Sequence, residues 1–273
     1  MKGNVNITTP HWSFVVLLLF LLVPISAHAS LLDGLVTYYS FDGNADDLSG
    51  NGNNGTVNGA VPTTDRFGDT SSAYSFDGVD DFILASADIL PSAERTVAFW
   101  FKADAVVNQP VFMGYGGGTG GTSWFMGLNA GPAIYNDSYY VTSHFDVNTL
   151  AAGYTEAPID EWKHLAISTD IVGTKIYVDG VEVASNDNFV TNTNVAGRDL
   201  AIGVATSPGG FAPYTDVNVG YFDGALDDVR IYDRALLDSE IRQLSGVPIP
   251  ASVWLLGSGL MGMIGIARRR KAT

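Results

Sequence analysis

Between residues 33 and 245 apolar and polar positions alternate in short runs separated by Gly, Asn and Asp, the pattern of half-buried strands joined by tight turns. Leu35–Phe41 is a β-branched and aromatic run that stops at Asp42-Gly43. In Thr96–Lys102, Val97, Phe99 and Phe101 share one face of a strand and Trp100 takes the other. Residues 161–169 set Trp162, His164 and Ala166 against Lys163, Leu165 and Ile167. Thr174–Val178 enters Asp179-Gly180, a two-residue hairpin signal, and resumes at Val181–Val183; Asp227–Tyr232 predicts a further strand. A short helix is predicted over Ser239–Leu244, with Asp238 as its N-cap and Ile241 and Leu244 facing inward. Tyr39-Ser40-Phe41-Asp42-Gly43 and Tyr74-Ser75-Phe76-Asp77-Gly78, echoed by Tyr221-Phe222-Asp223-Gly224, read as strand ends entering Asp-Gly turns. Their uneven spacing argues against a repeat array. Short strands about every ten residues, with a lone helix, predict an all-β, two-sheet antiparallel sandwich of the jelly-roll type.

The two ends follow another pattern. Phe14–Ile25 is almost wholly apolar, follows Lys2 and His11, and precedes Ala27-His28-Ala29. A basic start, a short apolar core and a small-x-small cleavage site are the layout of a secretory signal, so residues 1–29 read as a signal helix and Ser30 as the new N-terminus. The apolar run, about 12 residues, is short of the ~20 that span a bilayer, and Pro24 interrupts it, which weighs against a retained anchor. At the other end Ala251–Ala267 carries no charge and is followed by Arg268-Arg269-Arg270-Lys271. As a helix this stretch is about 25 Å long, slightly thin for a hydrocarbon core. Trp254 suits the outer interface and the basic cluster suits the cytoplasmic side, which places the intervening domain outside. The chain thus divides into residues 1–29, a domain over 30–246, and a C-terminal hydrophobic helix with a basic tail over 247–273.

Charge and composition narrow the function. The chain has 14 Lys+Arg against 29 Asp+Glu and a net charge of -15. Every acidic residue lies between Asp33 and Glu240, whereas Lys2 and the 268–271 cluster lie outside that span, so the domain is more acidic than the whole. Such a field repels phosphate backbones and excludes nucleic acid as a partner. With Cys 0 there is no disulfide scaffold, thiolate zinc site or Cys nucleophile.

Two resemblances follow from particular residues. The segment from Val247-Pro248-Ile249-Pro250 through Trp254-Leu255-Leu256-Gly257 to Ala267-Arg268-Arg269-Arg270-Lys271 resembles the PEP-CTERM sorting signal of Gram-negative bacteria, with Ile249 where many members have Glu. That resemblance implies an exosortase-type membrane protease as processing partner, a membrane contact through the C-terminal helix, and delivery to the cell surface or extracellular matrix. A permanent single-span anchor is the alternative. The domain itself resembles the LamG-like jelly roll of the concanavalin A-like lectin/glucanase superfamily. The resemblance is carried by Tyr38–Phe41 with Asp47–Gly55, Tyr74–Asp81, Trp162–Ala166 with Ile176–Gly180, and Phe222–Leu236. It implies the fold strongly and the activity weakly, because the fold hosts lectins, adhesion modules and glycanases.

The residues bear on three chemistries. Asp42, Asn44, Asp46 and Asp47 form an oxygen-rich loop suited to a hard cation, but Asp47 and Asn53 stand where an EF-hand requires Gly and Glu. The superfamily resemblance implies instead one structural Ca2+ near the chain start, with Asp42 and Asp47 as candidates there and Asp227 or Asp228 from the last strand, of which only one can face a given side. The alternative for these residues is structural: Asp47 capping its turn and Asp228 pairing with an Arg. Glycoside hydrolysis requires two flanking carboxylates, and the Glu-x-Asp-x-x-Glu strand that resemblance to laminarinases would require is absent, so no catalytic residue is assigned. His164 reads as a packed sheet residue. For ligand binding, aromatic rings beside Asn and Asp suit sugars: Tyr115 and Trp124 at the edges of a Gly-rich segment, Tyr135 and Tyr140 in 134–140, and Tyr214 in Phe211-Ala212-Pro213-Tyr214. The alternative, favoured for most of them, is that these rings fill the sandwich core. The expectation is a non-enzymatic, exported surface or matrix protein binding glycan, exopolysaccharide or another matrix component. Its alternatives are a purely structural matrix protein and a divergent glycoside hydrolase.

Overall fold

A computed structural model describes residues 30–246 apart from 108, 118–121, 130–137, 144–148, 154–157, 208 and 215–218. The segments read as signal helix and sorting tail therefore lie outside the described residues. Among the described residues no helix is long and apolar enough to cross a membrane.

Two sheets of strands account for the described fold. The first runs β13 (Val181–Asn186), β12 (Thr174–Val178), β11 (Lys163–Thr169), β6 (Arg95–Ala105), β16 (Asp223–Tyr232), β4 (Ala73–Asp77), β3 (Val61–Thr63), and β1 (Leu35–Tyr39) also pairs with β16. The second runs β10 (Thr149–Gly153), β9 (Ser138–Ser143), β8 (Ser123–Asn129), β7 (Gln109–Gly116), β14 (Asp199–Ile202), β5 (Phe82–Ser86), β2 (Thr56–Asn58). Pairing is antiparallel throughout these orders; the short β15 (Val219–Gly220) runs parallel to β7. The helix α1 spans Asp238–Leu244.

Alternation decides which side chains meet between the sheets. From the first sheet Val97, Phe99 and Phe101 point inward, as the pattern of 96–102 predicts, with Leu165, Ile167, Ile176 and Ile231. From the second, the cross-sheet row Ile83, Ile202, Met113, Met126, Val141 and Leu150 faces them. Phe112 joins the two layers, its ring centroid 5.1 Å from Phe99, 4.6 Å from Phe101 and 5.0 Å from Phe222.

The outer face of the first sheet is also occupied. Helix α1 lays Ile241, with Leu236, on Ala98, Ala166, Tyr177 and Tyr232. The N-cap is Leu237, and Asp238 is the first helical residue, its carboxylate accepting from the Tyr177 hydroxyl at 2.8 Å. Capping comes from Glu240, which reaches back to the Leu237 N–H at 2.7 Å and is clamped by Arg234 at 2.7 and 2.9 Å. Of the three Asp-Gly repeats, the first two are turns, with Gly43 and Gly78 at φ 83 and 71. The third is not: Asp223 and Gly224 open β16, with Asp223 opposite both Asp77 and Ala105.

Candidate ligand-binding cleft

The outer face of the second sheet carries one continuous cross-strand row: Thr56, Leu84, Ala201, Gly114, Phe125, Thr142 and Thr149. Over β7–β9 this face is apolar and covered: Val111, Phe125 and Tyr140 pack with Ala205 and Tyr214 from the segment after β14. Over β2, β5 and β14 it opens into a cleft of about 420 Å³ whose lining includes Asn54, Thr56, Ser86, Asp88, Arg198 and Asp199.

Two local structures shape this cleft. The turn before β14 needs the left-handed Gly197 (φ 62), whose N–H donates to the Asp88 carboxylate at 2.6 Å. The segment 209–212 is tied back to Ser207, with Ser207 N–H to Phe211 O at 2.8 Å and Phe211 N–H to Ser207 Oγ at 3.2 Å. It is tied to β14 through Asp199, which donates its N–H to Gly210 O at 2.9 Å and accepts from the Ala212 N–H at 2.9 Å. A Cβ at Gly210 would stand 2.2 Å from Arg198 Cδ, so the loop lies directly against the arginine stem. The Arg198 guanidinium carbon sits 5.3 Å from the centroid of Phe211, a ring that is 52% exposed. The result is an open polar surface with a cation, two carboxylates, neutral hydrogen-bonding groups and an accessible aromatic ring. Sugars are bound by such mixtures: the ring covers apolar C–H faces while the polar groups exchange hydrogen bonds with hydroxyls.

The aromatic residues singled out from sequence fall in three places. Tyr115 and Trp124 are opposite each other on β7 and β8 and point between the sheets, 0% and 1% exposed, with ring centroids 5.5 Å apart. The Gly-rich segment continues two strands rather than forming a binding loop, and the period-two pattern sends these rings inward. There they flank the fully buried Arg95, which donates to Tyr115 Oη at 3.0 Å and to the carbonyls of Ser92 and Thr191 at 2.6 Å. Tyr140 and Tyr214 do come together, on the outer face of the second sheet beyond the cleft, where Tyr140 is 0% exposed. Tyr135 lies outside the described residues.

Of the four aspartates proposed for calcium, Asp47, Asp227 and Asp228 are engaged otherwise. Asp42 is exposed at its turn. Asp47 accepts from four donors: the N–H groups of Tyr38 at 2.9 Å, Ser49 at 3.0 Å and Asn53 at 3.0 Å, and the Ser49 hydroxyl at 2.9 Å. Burial acts to raise its pKa, but those hydrogen bonds together hold it below the usual carboxylate value. Asp227 and Asp228 face the same side, contrary to simple alternation, because β16 bulges between Asp227 and Arg230 and Asp228 is left-handed at φ 54. Both are bound by the Arg66 guanidinium, to Asp228 at 2.7 Å; Asp228 also accepts from Arg230 at 2.9 Å and from the Tyr38 hydroxyl at 2.7 Å. Carboxylates so neutralised do not fit a cation site. The described acidic side chains that do converge are Asp77, Asp80 and Asp81, with ligand oxygens within 4.8 Å of one another.

Beside the Arg66 clamp lies the cross-strand row His164, Trp100 and Asp227. His164 is 1% exposed, its ring 5.3 Å from that of Trp100, and burial together with Arg230 and Arg66 depresses its pKa to about 3, so it stays neutral. Burial and the neighbouring Asp228 push Asp227 the other way, to about 7.

The sequence reading missed Arg198, Asp88 and Asn54. Its usable signal for them was Gly197-Arg198-Asp199, a charged pair set by a turn glycine at a strand entrance, close in the fold to the aromatic segment 211–214.

Comparison with known proteins supports the architecture. A laminin-G profile described as the concanavalin A-like lectin/glucanases superfamily matches residues 77–242. No curated protein sequence matches the chain. Among solved structures, domain 4 of an extracellular family-43 arabinanase from Geobacillus stearothermophilus, in complex with arabinotriose, is similar at TM-score 0.60 and 24% identity, covering 77% of this chain and 98% of that one. The binding domain of Paraclostridial Mosquitocidal Protein 1 is similar at TM-score 0.60 and 18% identity, over 79% of this chain and 52% of that one. The binding domain of botulinum neurotoxin serotype D follows at 0.57 and 19%, over 81% and 52%. At these identities the likeness is one of fold. The profile spans more than half of the chain and its strands form the expected sandwich, and the chain belongs to the concanavalin A-like lectin/glucanases superfamily.

Proposed function

We propose that the chain is an exported, non-catalytic carbohydrate-binding protein of the cell surface or extracellular matrix, and that its glycan sits in the cleft on β2, β5 and β14. The observation that carries this reading is a polar cleft with Arg198 in its lining, the exposed Phe211 ring lying 5.3 Å from that guanidinium. The arabinanase domain solved with arabinotriose makes arabino-oligosaccharides the first probes to try. Export, exosortase-type processing and matrix delivery rest on the sequence patterns of residues 1–29 and 247–273. A glycan array with the full-length protein tests the binding reading. Binding is expected to fall at least about tenfold in R198A and F211A, the loss of a hydrogen-bonding charge or a stacking face. Unchanged binding in both variants refutes the placement, and no binding by the wild type favours a purely structural matrix role.

A second reading has one observation in its favour, the presence of both Asp88 and Asp199 in the cleft. Each already holds a backbone N–H, a positioning role, and no sugar release from bound oligosaccharide is expected. Release that disappears in D88N and D199N would establish a hydrolase instead. One structural Ca2+ near the chain start, as the resemblance implies, stays a proposal resting on the sequence alone. Titration of the chelator-treated protein tests it: a rise in Tm with calcium that is lost in D42N supports the site, and no rise removes it.

A further inference from the structure

We infer that the cleft selects uncharged glycans and rejects uronic-acid chains, a selectivity that rests on the glycan reading above and assigns the residues that set it. Among the described residues lining the cleft, Arg198 is the one cation, against Asp88 and Asp199. Each aspartate has a carboxylate oxygen fixed by a backbone N–H, Gly197 at 2.6 Å and Ala212 at 2.9 Å. The carboxylates are thereby held in place while their remaining lone pairs stay available to accept from hydroxyls. Arg198 lies on the Phe211 ring, and its described hydrogen bond is a long one, Nη1 to Gly197 O at 3.4 Å, which leaves guanidinium N–H donors for a ligand oxygen.

A sugar hydroxyl both donates and accepts, so neighbouring hydroxyls satisfy an aspartate and the arginine together. A uronate carboxylate can only accept. It gains Arg198 but stands beside two fixed negative charges, in a chain of net charge -15 whose acidic residues all lie in the domain. Two aspartates outweigh one arginine, and neutral sugars are favoured.

The test is calorimetric titration of the full-length protein, in EDTA, with two sets of probes. The neutral set is arabino-, xylo- and gluco-oligosaccharides; the charged set is oligogalacturonate and oligoalginate. The wild type is expected to bind a neutral probe at least about tenfold more tightly than any uronate, the scale of an uncompensated charge at a partly exposed site. In the D88N/D199N double variant, which keeps the acceptors for Gly197 and Ala212, the ratio is expected to shrink to within about threefold. Equal or tighter uronate binding by the wild type overturns the inference while leaving the glycan reading intact. A ratio unchanged in the double variant likewise overturns the assignment to these aspartates. Binding of neither set overturns the glycan reading and the selectivity with it.

Discussion

Asp47 closes the turn after β1 through its four hydrogen bonds, linking the end of the first strand to the Ser49 and Asn53 backbone. Replacement by Ala strips one acceptor from each donor, and D47A is expected to lose about 2 kcal/mol, measured by urea unfolding, with a smaller loss for D47N. Because the folded pKa lies below the unfolded value, the carboxylate's contribution is complete above the unfolded pKa, ~3.9, and is lost as pH falls through the folded one. The gap between wild type and D47N should therefore close in acid. The sequence showed this residue as a turn acid as readily as a calcium ligand; choosing between them required knowing which N–H groups the chain folds back to present. Tyr115 and Trp124 carried the same ambiguity. An aromatic beside glycines reads as a platform until the strand's register sends its ring inward.

Strands with strong alternation were legible as elements: 96–102 and 174–183 lie where the pattern puts them, and 161–169 does so from Lys163 onward. Strands β7 to β9 were not, since nearly every position is buried on both faces and the glycines mask the period. The β16 bulge was also invisible, and it is what brings Asp227 and Asp228 together on Arg66. This element has a pH signature. His164, with a folded pKa of about 3 against ~6.5 unfolded, contributes fully above pH ~6.5, and that contribution is lost as pH falls below it. Asp227, raised to about 7, acts oppositely: the fold holds a proton that the unfolded chain releases, so its contribution falls as pH rises from ~3.9 through 7. Denaturant unfolding across pH 4–7 is expected to show H164Q gaining on wild type towards the acid end and D227N gaining towards the neutral end. Parallel profiles for all three proteins would contradict the burial account of this row.

At the scale of the whole molecule, a sandwich with Cys 0 is stabilised by its shared apolar interior. The proposed placement outside the cell rests on the sequence patterns of residues 1–29 and 247–273. Mass spectrometry of protein from fractionated cells should find a mature chain beginning at Ser30 and lacking the tail from 247 onwards; an intact chain in the cytosol contradicts export. Fold class was readable from the pattern, because it depends on many residues at once. The cleft was not, because Asn54, Asp88 and Arg198 are far apart in sequence and become neighbours only when β2, β5 and β14 pair. The most direct test of the central claim is a crystal structure with a bound neutral oligosaccharide. A sugar ring against Phe211, with hydroxyls on Arg198 and Asp199, is the predicted result, and a sugar seated anywhere else on the domain contradicts it.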